Sequence, residues 1–136
     1  MDKILVDTNI VIDLLTQRNE FYRPASRLFT LSDNKEIILS ISSLTFANTY
    51  YLITKELNAQ KAKEILRKFK LLVNILSMDD KIIDLSLNSN FKDFEDAIQY
   101  YTAIEHKIDI IITRNLKDFK LSKIPVMTAE NYLAMK

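Results

Sequence analysis

The sequence contains no glycine, no cysteine and no tryptophan, and its only histidine is His106. Without cysteine the chain forms no disulfide and offers no thiolate to zinc, to an iron–sulfur cluster or to a substrate. One histidine cannot build a multi-histidine metal site. The lack of glycine argues against P-loop and Rossmann cofactor sites, because both need residues without a Cβ where the backbone approaches phosphate. Any divalent metal must therefore be held by oxygen ligands.

Long hydrophobic runs and excess charge of one sign are also missing. No apolar run approaches the roughly 20 residues that a membrane-spanning helix needs. The segment Met1–Leu15 carries Asp7 and Asp13 within its apolar stretch, unlike a secretory signal peptide. With 19 Lys and Arg against 18 Asp and Glu, the chain has no overall attraction to nucleic acid or to an anionic membrane. We therefore expect a cytoplasmic protein that is not attached to a membrane, and its 136 residues predict a single domain over 1–136.

Short apolar runs alternate with longer segments of helical spacing along the chain. The runs that predict strands are Lys3–Val6, Ile37–Ile41, Leu72–Leu76, Ile108–Ile112 and Ile124–Met127. Helical patterns include Ser43–Leu57, Ala59–Lys70, Lys81–Leu87, Phe94–His106 and Ala129–Met135. Four of these helices have a plausible N-cap residue at their start: Asn58, Asp79, Asp93 and Thr128. Strands that are apolar throughout are typical of a sheet buried on both faces. The alternation predicts an α/β domain with a mainly parallel central sheet of roughly four to five strands.

Asp7 follows the first predicted strand directly. The run Ile4–Val6 leads into Asp7, Thr8 and Asn9, and a helical pattern resumes at Ile10. Ligands of parallel α/β sheets bind outside the carboxyl ends of the strands, which makes Asp7 a candidate site residue. Asp, Thr and Asn are also good helix N-caps, so a purely structural role for Asp7 stays open.

A second acidic group opens the helix predicted over Phe94–His106. Asp93 and Asp96 are three residues apart and project on the same side of a helix. Acidic residues in a first turn also interact favourably with the helix dipole, which gives both a structural alternative. Asp96 shares its face with Tyr100 and Ala103, an unusual position for a solvated surface acid. Asp96 is therefore a candidate site residue as well.

Asn115 and Asp118 follow the strand predicted at Ile108–Ile112, where they form either a turn or part of a site. If the polar strand ends meet at one edge of the sheet, carboxylates are concentrated there and repel each other. A hard dication such as Mg²⁺ or Mn²⁺ relieves that repulsion by accepting oxygen ligands. Such an ion polarises a phosphoryl oxygen and lowers the pKa of bound water. Metal-assisted phosphodiester hydrolysis is the reaction that these residues favour.

These motifs resemble those of the PIN-domain family of small metal-dependent ribonucleases, which includes the toxins of VapBC-type toxin–antitoxin pairs. The resemblance covers nearly the whole chain. Its motifs are Ile4-Leu5-Val6-Asp7-Thr8-Asn9-Ile10, Ile41-Ser42-Ser43-Leu44-Thr45, Asp93-Phe94-Glu95-Asp96-Ala97, and Ile111-Ile112-Thr113-Arg114-Asn115 with Asp118-Phe119. It implies a PIN-like three-layer α/β/α domain in which acidic side chains converge on Mg²⁺ or Mn²⁺.

The resemblance also implies roles for individual residues. Asp7 matches the first metal-binding acid of the family, and Asp96 matches the acid at the start of the later helix. The last acidic position falls between Asn115 and Asp118, with Asp118 as the charged member and Asn115 as a polar neighbour. Thr8 matches a hydroxyl position beside the first acid, where it would contact phosphate or support the metal ligands. The expected catalytic and metal-binding residues are thus Asp7, Asp96 and Asp118.

The helix after the second strand departs from the family pattern. The family usually places a glutamate there, whereas this chain has Asn48 at the apparent position. An amide offers a neutral oxygen, but it adds no negative charge and cannot act as a base. Asp93 lies one turn before Asp96 and would supply the missing charge as a fourth metal-binding residue.

Charge is segregated along the sequence. Ser77–His106 has seven acids and two bases (net −5), whereas Lys55–Lys70 has six bases and two acids (net +4) and Lys107–Lys123 has five bases and two acids (net +3). An acidic pocket bordered by basic segments suits a metal at its centre and an RNA backbone at its rim. A solvated helix face explains the bases of Lys55–Lys70 equally well. Arg114, beside the proposed site, is the better candidate for a phosphate contact.

The sequence leaves three functions open. The leading hypothesis is a Mg²⁺- or Mn²⁺-dependent endoribonuclease that hydrolyses RNA, and analogy with the family adds a toxin role, an antitoxin partner and a homodimer. The second is a PIN-like module that binds RNA or protein and whose catalysis is impaired by Asn48. The third is a phosphoaspartate protein built on Asp7, although that class expects a second acid two residues later, where this chain has Asn9.

Overall fold

The computed structural model describes residues 1–17 and 19–136. Its strands are β1 (Lys3–Val6), β2 (Ile38–Ser42), β3 (Asn74–Leu76), β4 (Ile110–Ile112) and β5 (Val126–Met127). Its helices are α1 (Thr8–Leu15), α2 (Asn19–Asp33), α3 (Ser43–Thr54), α4 (Ala59–Lys70), α5 (Asp80–Leu87), α6 (Phe94–Glu105) and α7 (Ala129–Ala134), with a 3₁₀ helix at Leu116–Phe119. Every predicted strand is present. The helix predicted over Ser43–Leu57 differs most, because it ends at Thr54.

The five strands form one parallel sheet in the order β3-β2-β1-β4-β5. β1 lies in its centre, where Leu5 is opposite Ser40 of β2 on one side and opposite Ile111 of β4 on the other. The chain first builds the sheet outward from β1 to β3 and then returns to add β4 and β5 on the other side. The crevice beyond the carboxyl ends of β1 and β4 is therefore a topological switch point, the usual ligand site of open α/β sheets.

Helices cover both faces of this sheet. Ile4 and Val6 belong to a large buried cluster with apolar side chains of α1, α2, α3, α4 and α7, whereas Leu5 packs with Tyr100 and Ala103 of α6. Successive strand residues point to opposite faces, so the two clusters lie on opposite sides. The result is the three-layer α/β/α architecture that the family resemblance implies, built on the parallel sheet that the sequence pattern predicts. In the described part of the chain, no helix is both long and apolar enough to cross a bilayer.

Four helices begin at the capping residues that the sequence indicates. Asn58, Asp79, Asp93 and Thr128 each accept a hydrogen bond from the backbone N–H three residues later. Such a cap satisfies one of the backbone donors that a helix leaves without a partner in its first turn. The Asp93 cap matters most for the site, because it fixes the start of α6 and places Asp96 in its first turn.

Candidate functional site

A cavity of about 470 Å³ lies at the carboxyl edge of the sheet, next to the residues that follow β1. Polar side chains come from the start of α1, from α3, from α6 and from the segment after β4; they include Asp7, Thr8, Asn48, Glu95, Asp96 and Asn115. Apolar side chains line the cavity as well: Ile12, Leu44, Tyr51 and Leu52. The fold therefore brings together five residues that the sequence selects from four distant segments, namely Asp7, Thr8, Asn48, Asp96 and Asn115.

Asp7 both caps α1 and lines the cavity. Its backbone N–H donates to the carbonyl of Ile112, which extends the pairing of β1 with β4, and its Oδ1 caps α1 by accepting the N–H of Thr8 at 2.8 Å. The side chain is 8% exposed and still lines the cavity. On its other oxygen, Oδ2 accepts the hydroxyl of Thr113 at 2.8 Å. Capping and a role in the site are therefore compatible.

Asp96 lines the same cavity as Asp7, in the first turn of α6, and is half-buried. Burial is the largest cause that raises its pKa, the negative charges of Asp93, Asp7, Asp118 and Glu95 follow in that order, and together they bring it to about 7. Carboxylates from three separate segments thus act on one group. The repulsion expected from the sequence is present, and Asp96 is where it concentrates.

Asp118 and Asp93 lie beside this cavity and not in it. Both line a neighbouring cavity of about 440 Å³ that shares Asp96 with the first. Both side chains are exposed, and Asp93 Oδ1 accepts the Asp96 N–H at 3.1 Å as the N-cap of α6. Asp93 has the capping role that the sequence offers as its structural alternative. The negative charges of both acids raise the pKa of Asp96.

Among residues 1–17 and 19–136, no three His, Asp or Glu side chains are close enough together to form a metal-ligand group. The chemistry of the donors nevertheless fits a hard dication. Asp7, Glu95 and Asp96 bring carboxylate oxygens to one cavity, and oxygen is the ligand atom that Mg²⁺ and Mn²⁺ prefer. A nearby dication would also stabilise the charged form of Asp96, which its neighbours disfavour.

Comparison with known proteins decides the family. A model of the PIN domain matches residues 3–117, which contain β1 to β4 and every acid described above except Asp118. The chain belongs to the PIN-domain family. The resemblance seen in the sequence is therefore confirmed.

Individual proteins resemble this PIN domain over nearly its whole length. It is 29% identical over 141 residues to Ribonuclease VapC1 of Aquifex aeolicus, covering 96% of this chain and 93% of that one. It is 30% identical to a chain of a toxin–antitoxin complex from Klebsiella pneumoniae, with a TM-score of 0.68 and coverage of 93% and 97%. The DNA-bound VapBC complex from Salmonella typhimurium has a TM-score of 0.72 at 19% identity, covering 95% of this chain and 99% of that one, and shares the fold.

Glu95 is an acid of the PIN-domain cavity that the sequence does not mark as a candidate site residue. Its Oε1 lies 3.5 Å from Nδ2 of Asn48, the residue at the family's usual glutamate position. The expected compensation for Asn48 is Asp93, yet the acid that faces Asn48 is Glu95. The one feature of the sequence that could identify Glu95 as a cavity residue is its position beside Asp96 in the same motif. An acid in the first turn of a helix has the same sequence pattern whether its side chain faces solvent or a cavity.

Arg114 binds a carboxylate outside the cavity. Its Nε is 2.8 Å from Asp13 Oδ2 and its Nη2 is 3.1 Å from Asp13 Oδ1, and its guanidinium carbon lies 4.1 Å from the centre of the Phe21 ring. Asp13 is 1% exposed. The structure thus gives the guanidinium a buried partner on α1, and a phosphate contact by Arg114 stays a prediction.

The stability of the metal-free protein is expected to fall as the pH rises, because of Asp96. Its pKa is about 7 in the fold against an ordinary value of 3.8, so the folded chain holds this proton more tightly than the unfolded chain. That contribution is complete below about pH 4 and is lost as the pH rises through about 7. Asp96→Asn keeps the shape without the charge, so it should melt above the wild type at about pH 8 and close to it at about pH 4.

Thermal melting in EDTA at the two pH values measures this difference. Asp84→Asn, at an exposed acid of α5, is the matched control and should change the melting temperature little at either pH. An Asp96→Asn effect of the same size at both pH values would contradict the prediction.

Proposed function

We propose that this PIN domain is a Mg²⁺- or Mn²⁺-dependent endoribonuclease that hydrolyses phosphodiester bonds of RNA. The observation that carries the proposal is the placement of Asp7 and Asp96 on one cavity, where neighbouring charges help to raise the Asp96 pKa to about 7. The likeness to Ribonuclease VapC1 supports RNA as the substrate. Perturbed acids in a cleft at a topological switch point are typical of catalytic sites.

Asp7 and Asp96 would hold the metal, and Glu95 would add a carboxylate from the same cavity. Asp93 and Asp118 would add negative charge from the neighbouring cavity. When bound, the ion would polarise the phosphoryl oxygen and lower the pKa of the attacking water. The chain itself supplies orientation, because hydrogen bonds to both oxygens of Asp7 restrict its carboxylate to one position.

Thr8 and Asn115 are the groups we propose for binding the RNA backbone. Both line the cavity, and Asn115 is exposed, so that a phosphate or ribose can reach its amide. Neutral donors of this kind contact phosphate and sugar without reading the base sequence. They would set the position of the RNA strand relative to the acids.

Asn48 does not by itself favour a binding module without catalysis. Glu95 faces Asn48 across 3.5 Å and returns a carboxylate to the part of the cavity where the family usually has its glutamate. The cavity therefore keeps a charge that a decayed site would lose. This arrangement supports cleavage over binding alone.

We also propose that the chain is the toxin of a toxin–antitoxin pair, that an antitoxin protein binds it, and that it works as a cytoplasmic homodimer. Support comes from the similar toxin–antitoxin complex of Klebsiella pneumoniae. Two apolar side chains at the cavity, Tyr51 and Leu52, are 65% and 43% exposed, which suits a surface that a partner covers.

Metal binding is tested by melting the full chain in EDTA and in rising MnCl₂. We expect the wild type to melt several degrees higher in millimolar Mn²⁺, because a ligand bound only by the fold stabilises it by mass action. Asp96→Asn should lose most of this response, whereas Asp84→Asn should keep it. An unchanged wild-type melting temperature would count against the metal, and cleavage of a mixed RNA substrate tests the activity directly.

A further inference from the structure

Gln99 contributes a buried amide to the wall of the cavity. It is 3% exposed and lies on α6 one turn after Asp96. Its Nε2 is 3.0 Å from Asp7 Oδ1 and 2.6 Å from Thr45 Oγ1, and its Oε1 is 2.5 Å from Ser42 Oγ. One side chain of α6 thereby joins the residue after β1, the end of β2 and the first turn of α3.

The chemistry of the neighbours fixes which way this amide points. An ionised carboxylate only accepts hydrogen bonds, so the nitrogen of Gln99 must face Asp7. Ser42 Oγ accepts the backbone N–H of Thr45 at 3.0 Å, which leaves its own hydroxyl proton for Gln99 Oε1. Both N–H groups and the oxygen of Gln99 are therefore engaged, and rotating the amide by half a turn would set its oxygen against Asp7.

Three strong hydrogen bonds then hold the Asp7 carboxylate. Oδ1 accepts from Thr8 N–H and from Gln99, and Oδ2 accepts from the hydroxyl of Thr113. A carboxylate has about four acceptor directions. The fourth is approached by the amide of Asn9 only at 3.5 Å, so one direction on Oδ2 is weakly used.

We propose that Gln99 is a positioning residue for Asp7. Its hydrogen bond to Oδ1 orients the Asp7 carboxylate so that a divalent cation can bind along the weakly used acceptor direction of Oδ2. The inference rests on the proposed function, since the cation is the one that the nuclease would need. Groups that hydrogen-bond to a metal ligand set its orientation, and their loss typically weakens metal binding about 10- to 100-fold.

The first experiment needs neither metal nor a variant of Gln99. In the NMR spectrum of the EDTA-treated wild type, the side-chain NH₂ of Gln99 should give two separate signals that exchange slowly with water. Asp7→Asn should shift both signals. Rapidly exchanging Gln99 signals that do not respond to Asp7→Asn would overturn the proposal.

The second experiment measures Mn²⁺ affinity by calorimetry on the full chain. Gln99→Met keeps the length of the side chain without its polar atoms and should bind Mn²⁺ about 10-fold more weakly. The matched control is Thr102→Val, one turn further along α6, where a fully buried hydroxyl has no hydrogen-bond partner among the described residues. It should bind Mn²⁺ as the wild type does.

Circular dichroism and a cooperative melt establish that each variant is folded. Gln99→Asn, one methylene too short to reach all three partners, replaces Gln99→Met if the latter does not fold and should also lose about 10-fold in affinity. A folded Gln99 variant with wild-type Mn²⁺ affinity would overturn the proposal. A wild type with protected Gln99 signals but no Mn²⁺ binding would instead refute the metal-dependent nuclease and keep the positioning of Asp7.

Discussion

Replacing Asp7 or Asp96 by asparagine is expected to lower RNA cleavage at least about 100-fold while the chain stays folded. Loss of a group that only supports a metal ligand already costs about 10- to 100-fold, and these two residues would touch the metal itself. Asparagine removes the charge and keeps the shape. It is also a good N-cap, so Asp7→Asn can still cap α1.

The melting temperature and the initial rate of cleavage together distinguish a loss of catalysis from a loss of folding in these variants. Asp96→Asn removes repulsion by Asp93, Asp7, Asp118 and Glu95, so the metal-free variant should melt no lower than the wild type. Initial rates of cleavage with Mn²⁺ on a fluorescent RNA give the activity, with Asp84→Asn as the control for a lost surface charge. Cleavage by a folded Asp7→Asn or Asp96→Asn variant within a few-fold of the wild type would show that hydrolysis does not use this cavity.

Arg114→Ala is expected to lower the free energy of unfolding by about 2 to 3 kcal/mol. Removing one partner of a buried ion pair typically costs about 3 to 5 kcal/mol, because the remaining buried charge loses a strong interaction that it needs in a low-dielectric environment. Asp13 is 1% exposed and forms two hydrogen bonds with the guanidinium, but the Arg114 side chain is 29% exposed. Water therefore replaces part of the lost interaction, which places the cost below the full value.

Urea denaturation of two variants tests this pair. Arg114→Ala should lower the midpoint clearly, and Arg114→Lys should lower it less because a single ammonium keeps the charge but loses the bidentate contact. The expectation fails if Arg114→Ala unfolds at the wild-type midpoint. Weaker RNA binding by the folded Arg114→Ala variant would support the phosphate contact that the sequence predicts for Arg114.

Much of the architecture follows from local patterns. The run Ile110–Ile112 is buried on both faces because β4 lies inside a parallel sheet, and such a run reads as a strand without any knowledge of its neighbours. Asn58 and Asp79 start their helices because their side chains reach a backbone N–H three residues away. Interactions within one strand or one helical turn can therefore be predicted from the order of the residues.

Contacts between distant segments cannot be predicted from the local sequence in this way. Gln99 meets Asp7 across 92 positions, and Arg114 meets Asp13 across 101. Nothing in the local sequence separates a glutamine that enters a cavity wall from one on a solvated helix face. Glu95 and Asp93 are only two residues apart, yet they line different cavities, and the local sequence does not distinguish their positions either.

The order of the residues was enough to predict the α/β class and the capped helix starts, to restrict any metal to oxygen ligands, and to select Asp7 and Asp96 as candidate site residues. These depend on residue type and on spacing within one element, so composition and periodicity reveal them. Three contacts are visible only in the folded chain: Glu95 faces Asn48, Gln99 donates to Asp7, and Arg114 pairs with Asp13. Those contacts depend on how the crossovers of the sheet bring separate segments to one edge, and on which side chain then has the length and charge to reach its partner.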